Sequence, residues 1–206
     1  MTSSSYDRRR AEEDSASFDP IRRLTALVAP PAQRGNSVDW SVVAAEYPHG
    51  FPDDYRVFMD VYGQGAFDGF LLVEPPVQEV YPLDASATVR GETADAQYTA
   101  EETDFDRPEL LIGWGTTVDA DLLCWWGESP DPNAWTTVVW RRQWLSWDRF
   151  DYGMSEFLCR YAARDLPGVW TFDLPYDGCR FVHDRDAKRL RALKIDPWGP
   201  EPVAGT

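Results

Sequence analysis

This chain has little of what most enzyme chemistry needs. Three cysteines and two histidines occur in 206 residues, and Cys124, Cys159, Cys179, His49 and His183 are too widely spread for a metal-ligand motif or a disulfide framework. Buried free thiols are the expectation. No apolar run approaches the roughly 18 residues that cross a bilayer. The opening residues MTSSSYDRRRAEEDSAS lack the apolar stretch of a secretory signal, which predicts a cytoplasmic protein without a membrane partner. A glycine-rich phosphate loop, a Gly-x-Ser-x-Gly elbow and a cysteine with a nearby histidine base are all missing. Catalysis has no visible seat, so the expectation is a protein that is not an enzyme, with no catalytic residues, cofactor or metal.

Positive charge is scarce where the chain is most acidic. The formal net charge is −15, and Val57 to Val139 holds sixteen Asp and Glu against two bases, Arg90 and Arg107, while the flanks nearly cancel. Nucleic acid needs basic patches and is excluded as a partner on that ground; a basic protein partner or plain solubility explains the acidity.

What is present is an ordinary globular composition, 43% apolar and 14% aromatic, in a chain of a length suited to one domain. Residues 1–17 carry no periodic apolar pattern and read as a disordered tail, 18–195 as the domain, and 196–206 as a flexible Pro/Gly-rich end. The chain is organised around GFPDDYRVFMDVYGQGAF, Gly50 to Phe67. Pro52 suits a first helical position, and Asp53 and Asp54 favour the positive end of the helix dipole. Tyr55, Phe58, Met59 and Tyr62 follow at i, i+3, i+4 and i+7, opposite Arg56 and Asp60, and Gly63 and Gly65 read as the helix stop.

Either side of this helix the period predicts the other elements. Asp19-Pro20 opens a short helix with Ile21, Leu24, Thr25 and Val28 on one face, and Asp39 caps another with Trp40, Val43, Ala44 and Tyr47. AFDGFLLVEPP reads as one strand, and residues from about Ala85 to Ala100 as a solvent-exposed helix. Leu110–Thr116, Asp121–Gly127, Trp135–Arg142 and Leu145–Asp151 are strand candidates arranged as an antiparallel meander. A helix with Met154, Phe157, Leu158, Tyr161 and Ala162 on one face follows, then short strands at Val169–Phe172 and Arg180–His183 and a weak basic helix from Asp184 to Lys194. The change of period predicts a single α+β domain, a largely antiparallel sheet of about five or six strands backed by the helices at Asp39, at Pro52 and near Ser155.

The spacing Pro52-x-x-Tyr55-x-x-Phe58, with Tyr62 and the pair Gly63 and Gly65 closing the helix, resembles the signature of the SUKH superfamily, which includes bacterial immunity proteins and a yeast regulator of cell-wall glucan synthesis. The resemblance extends over roughly Asp39 to Leu166. Trp40 lies in the preceding helix; Ile112-Gly113 precedes a turn and strand, Asp131-Pro132 leads to the Trp135 strand, and Phe157-Leu158 opens the late helix, in the family's order. Ala120 departs from the glycine the family often has in its turn. The resemblance implies a SUKH-like fold and, for the immunity members, binding and inactivation of a cognate toxin.

Three function classes stay open: a protein that docks and neutralises a basic partner such as a toxin domain, an intracellular scaffold of the cell-wall-regulator type, and, with least support, a glycan hydrolase. The last would use acid pairs such as Asp53-Asp54, Glu101-Glu102 or Asp119-x-Asp121 beside Trp125, Trp126, Trp135, Trp140, Trp144 and Trp147. With so many acids such pairs arise by chance, and core packing explains the tryptophans more simply. For the binding reading, the acids expected outside the core are Asp68, Glu74, Glu79, Asp95, Glu101, Glu102, Asp104, Asp106, Asp119, Asp121 and Asp131. Nothing in the sequence points to an oligomeric state.

Overall fold

At Gly65 the hydrophobic period changes, and there the chain passes from helix to sheet. The structure is a computed structural model in which residues 20–77, 88–167 and 178–199 are described. Within them the fold is α+β: six α-helices and one antiparallel seven-stranded sheet. The helices are α1 (Pro20–Leu27), α2 (Trp40–Glu46), α3 (Asp53–Val61), α4 (Val89–Glu102), α5 (Met154–Ala162) and α6 (Asp184–Ala192). The strands are β1 (Gly65–Phe67), β2 (Leu71–Val73), β3 (Leu111–Thr117), β4 (Leu122–Trp126), β5 (Thr136–Arg141), β6 (Ser146–Phe150) and β7 (Phe181–His183). The sheet order β6-β5-β4-β3-β2-β1-β7 is a meander that β7 joins at the β1 edge.

The central helix α3 forms as its sequence dictates. Tyr55, Phe58, Met59 and Tyr62 are all fully buried, while Arg56 and Asp60 face out. The buried hydroxyls are spent on backbone carbonyls, Tyr55 donating to Glu74 O at 2.7 Å and Tyr62 to Val28 O at 2.6 Å. Gly63 takes φ +73°, the left-handed conformation that ends the helix. Two details differ from expectation: Pro52 precedes the first helical residue, and Gly65 opens β1 instead of closing the helix.

The sheet divides two cores by alternation along its strands, interrupted in β3 by a register shift between Gly113 and Gly115. Leu123, Trp125 and Val139 point to the face covered by α1, α2, α3 and α5, and Leu122, Cys124, Val138 and Trp140 point to the other. That second face is covered by α4, which corrects the expectation of a solvent-exposed helix: it begins at Val89, capped by Thr88, and buries Val89, Glu92, Ala96 and Ala100. Small residues hid this face. They permit close approach, and Gly113 of β3 completes it, since a Cβ there would stand 2.5 Å from the Glu92 carbonyl carbon.

The strand count rises to seven because AFDGFLLVEPP is a hairpin. Asp68 and Gly69, at φ 54° and 67°, turn the chain between β1 and β2 inside what reads as one apolar run. In α2 only Val43 is buried; Trp40 and Tyr47 are half-buried against the core and Ala44 is exposed, because the helix lies at the margin of the core. In α1 Ile21, Leu24 and Val28 are buried as expected. The 1–17 tail, Asp19, the Val169–Phe172 strand and Glu79 lie outside the described residues. The C-terminal end expected from 196 still docks at its start: Arg191 stacks over Trp198, and Arg180 donates to Gly199 O at 2.7 Å.

Candidate functional site

The acids expected outside the core divide into three groups. Glu74 and Asp121 are buried, and the side chain of the half-buried Asp68 is 2% exposed, which corrects that expectation for them. Asp68 accepts from the Arg180 N–H at 2.8 Å and pairs with Arg164 at 3.2 Å, so it ties the β1–β2 turn to two distant segments. Asp121 is 8% exposed and accepts from the Thr117 hydroxyl at 3.0 Å and the Arg142 N–H at 2.9 Å, holding two neighbouring turns together. Glu74 is 5% exposed as the chain leaves β2. For Asp68 the enclosing partners, Arg164 and Arg180, lie about a hundred residues away, so nothing local signals its enclosure.

Asp95, Glu101, Glu102, Asp104, Asp106, Asp119 and Asp131 are exposed. The register of the sheet then separates Asp119 from the rest of the loop acids. Leu111 pairs with Trp126, Trp126 with Thr136 and Thr137 with Phe150, so the loops 103–110, 127–135 and 151–153 all meet the sheet at one end. The β3–β4 turn that carries Asp119 lies at the other, beyond the Thr116–Leu122 pair. At the shared end Asp104, Asp106 and Asp131 are joined by Glu109, Glu128 and Asp151, which the sequence does not single out. Only the register brings Asp151 there.

The start of α3 is drawn to the same end by caps supplied from other segments. Pro52 has no side-chain acceptor for the first turn of α3, and Asn133 of the β4–β5 loop serves instead: Asp53 N–H donates to Asn133 Oδ1 at 2.7 Å, and Asn133 Nδ2 returns a bond to Asp53 Oδ2 at 3.1 Å. Gly153 likewise offers no cap to α5, and Asp54 Oδ2 accepts from Ser155 N–H at 3.0 Å. Asp53 and Asp54 therefore face different partners and do not act as a pair. Between these parts lies a cleft of about 580 Å³, walled by Trp125, Trp135 and Tyr152 and bordered by Asp53, Asp54 and Asp151. Glu156, also on its wall, is shared by Arg160 and Arg23, each at 2.8 Å. Arg160 also lies 4.7 Å from the centre of the Tyr152 ring.

The residues that carry the SUKH resemblance lie in the core or at its margin. Phe157 and Leu158 are fully buried, Pro52 is buried, Trp40 and Ile112 are half-buried against the main core, and Trp135 donates its indole N–H to Ser129 O at 2.8 Å. Ala120 adopts φ 60°, so the turn keeps a left-handed residue although glycine is absent. Trp125, Trp135 and Trp140 are buried, Trp126 and Trp147 pack on the α4 side, and only Trp144 of the six is mostly exposed. Cys124, Cys159 and Cys179 are buried free thiols, and burial raises the pKa of each, that of Cys159 to about 11, which disfavours the thiolate form. Among the described residues no group of three potential ligands is placed to hold a metal, and no helix is long and apolar enough to cross a membrane. Comparison with protein-family models, with curated proteins and with solved structures finds no match for this chain.

Proposed function

We propose that this protein is a non-enzymatic binding domain that docks a basic protein, in the manner of a bacterial immunity protein that neutralises a cognate toxin domain. The observation that carries the reading is the collection of carboxylates at one end of the sheet and along α4. Asp53, Asp95, Glu101, Glu102, Asp104, Asp106, Asp131 and Asp151 form no ion pair among the described residues, and Arg107 is already shared by Glu109 and Glu128. Tyr98, 66% exposed on α4 between Asp95 and Glu101, adds a rigid aromatic contact of the type that anchors interfaces. Concentrating like charge costs self-repulsion, and a cationic partner converts that cost into attraction. The SUKH resemblance supports the same class of partner.

The test is the association rate with a basic toxin domain. Exposed charges are screened beyond about 8 Å at physiological salt, so association slows about tenfold or more between low and high salt while dissociation changes less. Changing Glu101, Glu102, Asp104 and Asp106 together to lysine slows it further. A salt-independent on-rate, or unchanged binding by the lysine variant, removes this surface from the interface.

A further inference from the structure

We infer that the cleft between the start of α3, the β4–β5 loop and the start of α5 receives the cationic side chain of an arginine or lysine residue in a protein segment. This rests on the proposed basic partner for its source and goes further by assigning a pocket and a ligand group. Three observations carry it. The first is charge. Asp53 and Asp54 accept hydrogen bonds from neutral groups, the Asn133 amide and the Ser155 backbone N–H, and neither they nor Asp151 at the rim form an ion pair among the described residues. The one cation of the wall among the described residues, Arg160, is engaged by Glu156 at 2.8 Å and is also 3.8 Å from Asp165. The cleft thus keeps three carboxylates outside any ion pair around one concave place, and a cleft lined by one sign of charge focuses its field on an opposite charge.

The second observation is the aromatic wall. Tyr152 is half-buried and presents π surface beside the buried rings of Trp125 and Trp135, and Arg160 lies 4.7 Å from the Tyr152 centroid, so this wall holds a guanidinium within the range of a cation–π contact. The third is hydrogen-bonding capacity left over in the same wall. Asp54 Oδ1, the Tyr152 hydroxyl and Trp125 Nε1 are buried and have no hydrogen-bond partner among the described residues. Asp54 Oδ1 suits an N–H donor of the entering cation, and the Trp125 indole suits a carbonyl of the segment that bears it; burial without a partner is costly to both. A volume of about 580 Å³ accommodates such a side chain together with part of its backbone.

The experiment titrates the full chain, ¹⁵N-labelled, with acetyl-Gly-Arg-Gly-amide and with the same tripeptide carrying citrulline, which keeps the shape of arginine and removes its charge. The indole N–H resonances of Trp125 and Trp135 move saturably with the arginine peptide, and the citrulline peptide binds at least about tenfold more weakly. Asp54→Asn weakens the arginine peptide about tenfold. Because Asp54 also caps α5, Asp151→Lys at the exposed rim provides a second variant, with the same loss expected and no cap disturbed. Equal binding of both peptides overturns the inference, as do shifts confined to the exposed acids of α4. Saturable movement of the same indoles by inorganic phosphate or cellotriose, with none by the arginine peptide, overturns it too and makes the cleft an anion or glycan site. The lysine variant of Glu101, Glu102, Asp104 and Asp106 leaves tripeptide binding unchanged, since those residues lie outside the cleft. A cleft that ignores arginine while protein association stays salt-dependent therefore sinks this inference alone, and the reverse result sinks only the charged ridge.

Discussion

Glu92 is a carboxylate on the buried side of its helix. It is 7% exposed, close under β3 at Gly113, and burial, helped by the nearby Asp95, raises its pKa to about 7. The consequence for stability has a definite sign. Below the ordinary glutamate value both folded and unfolded states hold the proton and nothing is lost. As pH rises from about 4.5 toward 7 the unfolded chain ionises first, so the folded state is progressively disfavoured, by roughly 3 kcal/mol once Glu92 is charged in both. Glu92→Gln is therefore expected to stabilise the protein at pH 8, to matter little near pH 4, and to flatten the fall between; urea unfolding across that range checks it. A variant less stable at pH 8 would mean that the carboxylate makes a favourable contact there. The sequence places Glu92 in the middle of a helix read as solvent-exposed and gives no sign that Gly113 brings a strand over it. Asp68, Glu74 and Asp121 teach the same point, because a count of charges does not say which of them are enclosed. His183 is a further case: its Nδ1 accepts from the Arg185 N–H at 3.0 Å, which puts the proton on Nε2, facing Asn36 Oδ1 at 3.2 Å, and desolvation with the Arg185 charge lowers its pKa. Its cap to α6 has a local pattern; its tie to Asn36 has none.

Among the elements, α3 is the most legible, since its apolar period, its early acids and its terminal glycine all lie within one short stretch. Phe58 sits in its middle, fully buried, stacked on Tyr62 at 5.0 Å and edge-on to Phe181 at 6.0 Å. Phe58→Ala is expected to cost roughly 3–5 kcal/mol by cavity formation; a near-neutral change in chemical unfolding would show that the face is not core. The caps are not legible. Asn133 is 80 residues from Asp53 and Ser155 is 101 from Asp54, so the bonds that secure the starts of α3 and α5 exist only once the β4–β5 loop and both helices have met. The meander β3 to β6 can be read nearly residue by residue, because β-branched and aromatic residues alternate between clear turns. The β1–β2 hairpin and the buried face of α4 escape such a reading for opposite reasons: a turn inside a continuous apolar run, and a packing surface made of alanine and glycine.

At the scale of the whole molecule, charge outweighs every other feature. A net charge of −15 opposes compactness at low ionic strength, so Tm is expected to rise by roughly 2–4 °C between about 10 and 200 mM NaCl, and the four-lysine variant is expected to show less of that rise. Scanning calorimetry of both proteins measures it; a Tm that falls with salt in this range would mean that favourable pairs outweigh the repulsion. The amino-acid sequence by itself determined the class of fold, the central helix, the meander and the sign of the field, because periodicity, turn chemistry and formal charge are local or additive properties. Only the tertiary structure decided which acids are enclosed and which meet at one end, that α4 closes the second face, and that a cleft bordered by three carboxylates without an ion pair among the described residues opens between α3 and α5. Those outcomes depend on strand register and on contacts between residues far apart in the chain, and no local pattern encodes where the two ends of such a contact will come to rest.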